Sequence, residues 1–312
     1  MVRTYLREGN TMSVVFGFGT QHEIAEVPGI LRSVEQADAD GLDHFSISDH
    51  PYLGGRLDAY AMIGFVLGRT RRISGLANVT NVPLRPPAML ARTITSLSAL
   101  SGGRVILGAG AGGIWDRITA MGVPRLSPGA AVEAFEEAII LVRELSATGR
   151  PVTHHGVHYR VDGIEPAPVA APPVWTGSVG AKSLAVTGRV ADGWIPGHGA
   201  DWLSDRFRSS RPVIDAAATA AGRDPRDIRT IYNLQGMITD LPLGVTRDRD
   251  TGKWLGGSVA QWVEELTGAV LEHGAAGFTL FTPVGGTADA VTLGRWAVEV
   301  APAVREAVSK SL

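Results

Sequence analysis

Val105-Ile106-Leu107-Gly108-Ala109-Gly110-Ala111-Gly112-Gly113 reads as a buried β-strand that dissolves into small residues. A short apolar run bounded by turn residues is the pattern of a strand covered on both faces. The glycines beyond it let a large flat ligand come close to the backbone. The spacing fits the glycine-rich dinucleotide fingerprint only loosely, because the acidic residue expected about 20 positions on is absent. Met121-Gly122-Val123 stands there instead. A dinucleotide-binding open sheet is therefore disfavoured.

Working outward, the same unit recurs. Residues 130–145 carry Val132, Phe135, Ile139 and Val142 at three- and four-residue steps, with Glu133, Glu136, Glu137 and Arg143 on the remaining face. That is the period of an amphipathic helix. Strand-like runs fall at 14–18, 44–47, 73–79, 105–108, 173–176, 193–196, 230–237 and 277–281. Helical stretches between strands imply parallel pairing through right-handed crossovers. Eight such units predict an α/β fold, a closed (β/α)8 TIM-like barrel. An open doubly wound sheet is the alternative that periodicity leaves standing. Two insertions are expected, after strands 4 and 7. Residues 147–173 read as a hairpin and a long loop, and 241–257 as a mobile loop. Residues 1–12 read as an N-terminal extension and 13–312 as a single domain.

The composition agrees with a buried core. Of the 312 residues, 45% are apolar and 19% charged, which excludes a disordered chain. The absence of Cys excludes disulfides, thiolate metal sites and a Cys nucleophile. With 29 Lys+Arg against 31 Asp+Glu there is no electrostatic footprint for nucleic acid or an anionic membrane. No segment reaches the roughly 18 uninterrupted apolar residues of a membrane span. The start lacks a signal-peptide pattern, so a cytoplasmic location is expected.

In a barrel, functional residues stand where strands end. Ser48-Asp49-His50-Pro51 follows the second strand: the imidazole is suited to proton handling near neutral pH, and Asp49 could accept a bond from a cofactor ring. A turn cap is the plainer account of the pair. Ala77-Asn78-Val79-Thr80-Asn81 ends the third strand and leads to Arg85-Pro86-Pro87, which by itself is an ordinary strand-to-helix loop. Thr176-Gly177-Ser178-Val179-Gly180-Ala181-Lys182 opens a helix, where free N–H groups and a Ser hydroxyl suit a phosphate. It lacks the ending of an ATP-binding loop. His154, His155 and His158 resemble a metal site but read as a solvated hairpin. No Gly-x-Ser-x-Gly elbow or His-Glu-x-x-His occurs, so neither hydrolase chemistry is supported. Trp115 is the tryptophan placed to cover a bound ring.

These segments in this order resemble the luciferase-like flavin and deazaflavin oxidoreductase family, from about Val14 to Val304. The telling stretches are Asp49-His50, Leu84 to Gly113 and Gly177 to Gly193. The resemblance implies a TIM-like barrel that binds coenzyme F420, or alternatively FMN, at the strand C-termini. The Asp-His pair is similar to the F420-using branch, which would put Asp49 against the deazaflavin and leave His50 as the catalytic residue beside a small-molecule substrate. It also implies a non-prolyl cis peptide near Ala77, Asn78 and Val79. Gly110, Ala111, Gly112 and Gly113 would line the ring, and Gly177, Ser178, Val179 and Gly180 the cofactor phosphate. Trp115 and His198 would border the substrate pocket. Several F420-using members carry a Glu at the position of Gly113, so its absence leaves His50 as the obvious proton donor. The region Gly197-His198-Gly199-Ala200 departs from the sugar-phosphate oxidising members. Expected activity is hydride transfer between deazaflavin C5 and a small organic substrate. The alternatives are an FMN-dependent monooxygenase served by a separate flavin reductase, and a non-catalytic flavin-binding subunit. A homodimer is a family expectation.

Overall fold

Strands and helices alternate as the apolar pattern dictates, and the sheet closes on itself. A computed structural model of the chain describes residues 14–146, 149–197, 201–281 and 289–311. The eight barrel strands are β1 (Val15–Gly19), β2 (His44–Ile47), β3 (Ser74–Ala77), β4 (Val105–Gly110), β5 (Val174–Thr176), β6 (Gly193–Trp194), β7 (Arg229–Gln235) and β8 (Ala275–Phe281). All neighbours pair in parallel, in the order β3-β2-β1-β8-β7-β6-β5-β4. The ring closes where Gly75 and Leu76 of β3 meet Val105 and Ile106 of β4. The closed barrel is thereby the fold, and the open sheet is excluded. The expected extension at 1–12 lies outside the described residues.

Main helices follow the strands as α1 (Val27–Asp40), α2 (Ala59–Arg69), α3 (Pro87–Ser101), α4 (Pro128–Glu144), α5 (Ala181–Val190), α6 (Asp205–Ala220), α7 (Val259–His273) and α8 (Ala301–Ser311). Their ends are set locally. Pro87 opens α3 and Gly102 ends it with a φ of +70°, while Ser258 and Gln261 form a capping box on α7. None of the described helices is long and apolar enough to cross a membrane.

Side chains alternate across the barrel wall. Outward residues such as Phe16, Phe18, Phe45 and Ile47 form the core under the helices, whereas Val15, Leu76, Ile106, Trp175, Ile195 and Ile231 fill the interior. Gly17 makes room for one inward group. A Cβ there would lie 2.3 Å from the His44 ring. His44 is fully enclosed, its Nε2 2.8 Å from Thr279 Oγ1 and its ring edge-on to Trp175. Burial, helped by Arg229, lowers its pKa to about 3, so it is neutral.

The segment after β4 holds the antiparallel hairpin Val152–His155 with Arg160–Ile164. His155 pairs with Asp162 and His158 faces Glu133, and no metal-binding cluster exists among the described residues. The segment after β7 corrects an expectation. Instead of a free loop, Met237–Thr239 pairs with Gly256–Ser258. Between them Arg247 binds Asp201 at 2.6 Å, contacts Glu265, and lies against the Trp202 and Trp254 rings. A guanidinium flanked by two carboxylates and two indoles holds this strap to the barrel.

Candidate active site

The strand C-termini share one end of the barrel, and the loops that leave them form its mouth. Asp49 leaves β2 there. Its Oδ2 accepts from the Asn81 backbone N–H at 3.0 Å and from Arg85 Nε at 2.8 Å, and its Oδ1 accepts from Arg85 Nη2 at 2.6 Å. The side chain has no exposed surface. The enclosed carboxylate ties the β2 loop to the β3 loop.

His50 is half-buried beside it. Its Nδ1 and Tyr52 Oη are 2.5 Å apart, so Nε2 is the nitrogen not engaged by the phenol. Burial, then the Arg56 guanidinium, hold its pKa below the ordinary histidine value against the opposing pull of Asp49. The neutral imidazole is thus the resting form at pH 7. Arg56 is fixed by Glu23 at 2.8 Å, by Ser48 Oγ and by Gln21 Oε1. On the β1 loop, His22 is buried with neither ring nitrogen hydrogen-bonded, and burial and Arg56 lower its pKa also.

At the end of β3 the peptide between Asn78 and Val79 is cis, where the family resemblance places it. Asn78 Nδ2 donates to Asn233 Oδ1 across the mouth at 3.1 Å. The Ala77 side chain is fully buried in the core under the helices. Val79 instead stands against two glycines from other strands. A Cβ on Gly110 would lie 2.7 Å from Val79 Cγ2, and one on Gly177 would lie 3.1 Å from it.

Beyond Gly177 opens a cleft of about 620 Å³, lined by Ala111, Gly112, Trp115, Gly177, Ser178 and Val179 among others. That volume is in the usual range for small-molecule sites, about 300–1,000 Å³. Its far wall is the start of α4, with Arg125, Ser127 and Pro128. Ser127 caps α4 by accepting from the Ala130 N–H. Gly180 begins α5 with no side-chain cap, which leaves N–H groups and a positive helix end for an anion. Ser178 Oγ is buried without a partner, while its carbonyl accepts from Trp194 Nε1 at 2.9 Å. A buried hydroxyl is rarely left unsatisfied, so Ser178 Oγ is a group with hydrogen-bonding capacity to spare at the edge of the cleft.

Six of the expected cofactor and substrate residues thus share one cavity: Ala111, Gly112, Trp115, Gly177, Ser178 and Val179. Gly110 adjoins it behind Val79. Gly113 and Gly180 are exposed and do not line it, and His198 lies outside the described residues. Arg85, Arg56, His22 and Arg125 carry no motif that marks them in the sequence. For Arg85 the available signal is a lone charge in a Pro-rich strand-to-helix loop.

Comparison with known proteins identifies the family and the fold. A family model described as luciferase-like monooxygenase matches residues 11–242. The F420-dependent glucose-6-phosphate dehydrogenase of Microbacterium testaceum is 28% identical over 235 residues, covering 72% of this chain and 68% of the relative. The 5,10-methylenetetrahydromethanopterin reductase of Methanolobus tindarius is 32% identical over 204 residues, covering 64% of this chain and only 58% of the relative. The coenzyme F420 dependent tetrahydromethanopterin reductase of Methanopyrus kandleri has the same fold, with a TM-score of 0.76 at 18% identity, covering 93% and 99% of the two chains.

Proposed function

The chain belongs to the luciferase-like monooxygenase family of oxidoreductases, and from that premise we propose that it uses coenzyme F420 to move a hydride to or from a small organic substrate. Similar curated proteins named for F420 or for a pterin reductase support the cofactor. The observation that carries the reading is the meeting of Ala111-Gly112, Gly177-Ser178 and two helix N-termini around one cleft.

The residues fit such a cofactor. Gly110 and Gly177 keep the wall thin where Val79 projects, and Ser178 Oγ has an unmet hydrogen bond. The α5 N-terminus and Ser178 would hold its phosphate, and Ala111, Gly112 and Trp115 would flank its ring system. When bound, a deazaflavin supplies two-electron hydride chemistry at C5 with little reactivity toward dioxygen.

The chain's own part is orientation and proton handling. Asp49 and Arg85 lock the β2 loop, so His50 projects from a fixed backbone. Tyr52 engages Nδ1 and leaves Nε2 to exchange a proton with a substrate oxygen. Because burial and Arg56 favour the neutral ring, His50 can take up the proton released by an alcohol undergoing oxidation. The reverse direction uses its protonated form.

The test is a titration of purified protein with oxidised F420 and, separately, with FMN, followed by turnover of a panel of secondary alcohols by the wild type and His50→Ala. Saturable F420 binding and a loss of about 10²-fold or more in turnover for the variant are expected. FMN binding without F420 binding overturns the cofactor. Turnover unaffected by His50→Ala overturns the role of the imidazole.

A further inference from the structure

Arg85 touches more of the mouth than any assigned role requires. Its fork binds Asp49 through Nε and Nη2, and Nη2 also reaches Asp58 Oδ2 at 2.6 Å. Asp58 is the cap of α2, accepting from the Tyr60 and Ala61 N–H groups. The guanidinium lies over the Tyr60 ring, 4.7 Å from its centre, and Tyr60 Oη is 2.7 Å from Thr80 Oγ1. Thr80 and Asn81 pair with Ala109 and Gly110 at the end of β4. The Asn81 N–H returns to Asp49. These contacts form a closed circuit, Arg85–Asp49–Asn81–Thr80–Tyr60–Asp58, with the guanidinium at its centre.

The circuit joins two parts of the mouth that are distant in sequence. One side carries His50, next in the chain to Asp49. The other side is Gly110, where the small-residue stretch that lines the cleft begins. We propose that Arg85 is a positioning residue that couples the proton-handling loop of His50 to the cofactor-binding stretch that starts at Gly110. A planar fork can bind one carboxylate through two nitrogens and a second through one of them; a lysine ammonium, a point charge, cannot reproduce that geometry.

The inference rests on the proposed role of His50, and its test is chosen so that the two can fail separately. The groups facing His50 are Asp49, Arg56, Tyr52 and His22, with Arg117 acting on Tyr52. Of these, Asp49 is the one Arg85 compensates. Without the guanidinium, the Asp49 carboxylate would act more strongly on His50, against burial and Arg56, and shift it toward the protonated ring.

The experiment is an NMR titration of the His50 ring in the cofactor-free full chain, assigned by its loss in His50→Gln, for the wild type, Arg85→Met, Arg85→Lys and Arg104→Lys. Arg104 bonds Thr70, Ile73 and Leu67, away from the mouth, and serves as the structural control. The Arg85→Met midpoint is expected to rise by about half a unit or more, a threefold change in proton affinity. Arg85→Lys should show a smaller rise and Arg104→Lys none. F420 affinity should fall at least fivefold in Arg85→Met and stay within twofold in Arg104→Lys. If Arg85→Met does not fold, Arg85→Lys decides. A His50 midpoint unmoved in the folded Arg85 variants overturns the proposal, whatever happens to their melting temperatures. A failure to bind F420 by the wild type leaves the titration intact and counts against the cofactor alone.

Discussion

Val79 occupies the space that a side chain on Gly110 would need: its Cγ2 lies 2.7 Å from the place of a Cβ there. Valine is stiff about its only side-chain torsion, so Gly110→Ala forces backbone or strand movement. A cost of about 1–3 kcal/mol is expected. Gly177→Ala, with 3.1 Å to the same methyl, should cost less. Urea unfolding of both variants checks the order, and Val79→Ala in the Gly110→Ala background should recover part of the loss.

Ser178→Ala separates binding from stability. The hydroxyl is buried without a partner, so its removal should leave unfolding free energy unchanged or raised by up to about 1 kcal/mol. If it receives a cofactor phosphate, affinity should fall by about tenfold or more, as expected for a hydrogen bond to a charged group. Isothermal titration and denaturant melts give the two numbers. A parallel loss in both would refute the assignment.

Acid should destabilise the fold through His44. Its folded pKa, about 3, lies below the unfolded value of about 6.5, so the unfolded chain takes up the proton first. Stability is therefore complete above pH 6.5 and falls by about 1.4 kcal/mol per unit below it from this residue alone. His22 and His50 shift in the same direction and add to the upper part of the window. His44→Gln can keep the Thr279 contact and should flatten the pH dependence by one proton, measured by urea unfolding at pH 7, 6 and 5.

Arg247→Met should release the strap after β7. Asp201 and Glu265, both largely enclosed, would lose their shared cation, at a cost of about 2–4 kcal/mol. Arg247→Lys should recover only part of this, since an ammonium cannot match the fork or lie as well against Trp202 and Trp254. Limited proteolysis across 241–257 together with melting temperatures reads both effects. An uncut strap and unchanged stability would contradict the clamp.

The strands at 44–47 and 105–108 are legible because a short apolar run between turn residues is the local mark of a covered strand, and the glycines at 110 and 112 because close approach needs them. Asp49 is legible as a residue of the mouth but not as a closed one. Its fate depends on Arg85, 36 positions away, and such a pairing leaves no periodic trace. The facing of the Ala77 side chain is hidden for a related reason. The residue sits in a strand whose face toward the helices is decided by register against β2 and β4, and proximity to the strand end does not tell inside from outside. The strap at 241–257 reads as mobile because Gly, Asp and Arg are loop formers, while the partners that hold Arg247 come from Asp201 and from α7.

Sequence alone determined the alternation of strand and helix, the count of eight barrel strands and the family, because these follow from local apolar period and from ordered short motifs. Tertiary structure decided closure of the sheet, which residues face the cleft and which charges neutralise one another. Those depend on distances between segments tens of residues apart, and a guanidinium free in a loop and one locked between two carboxylates are spelled with the same letter.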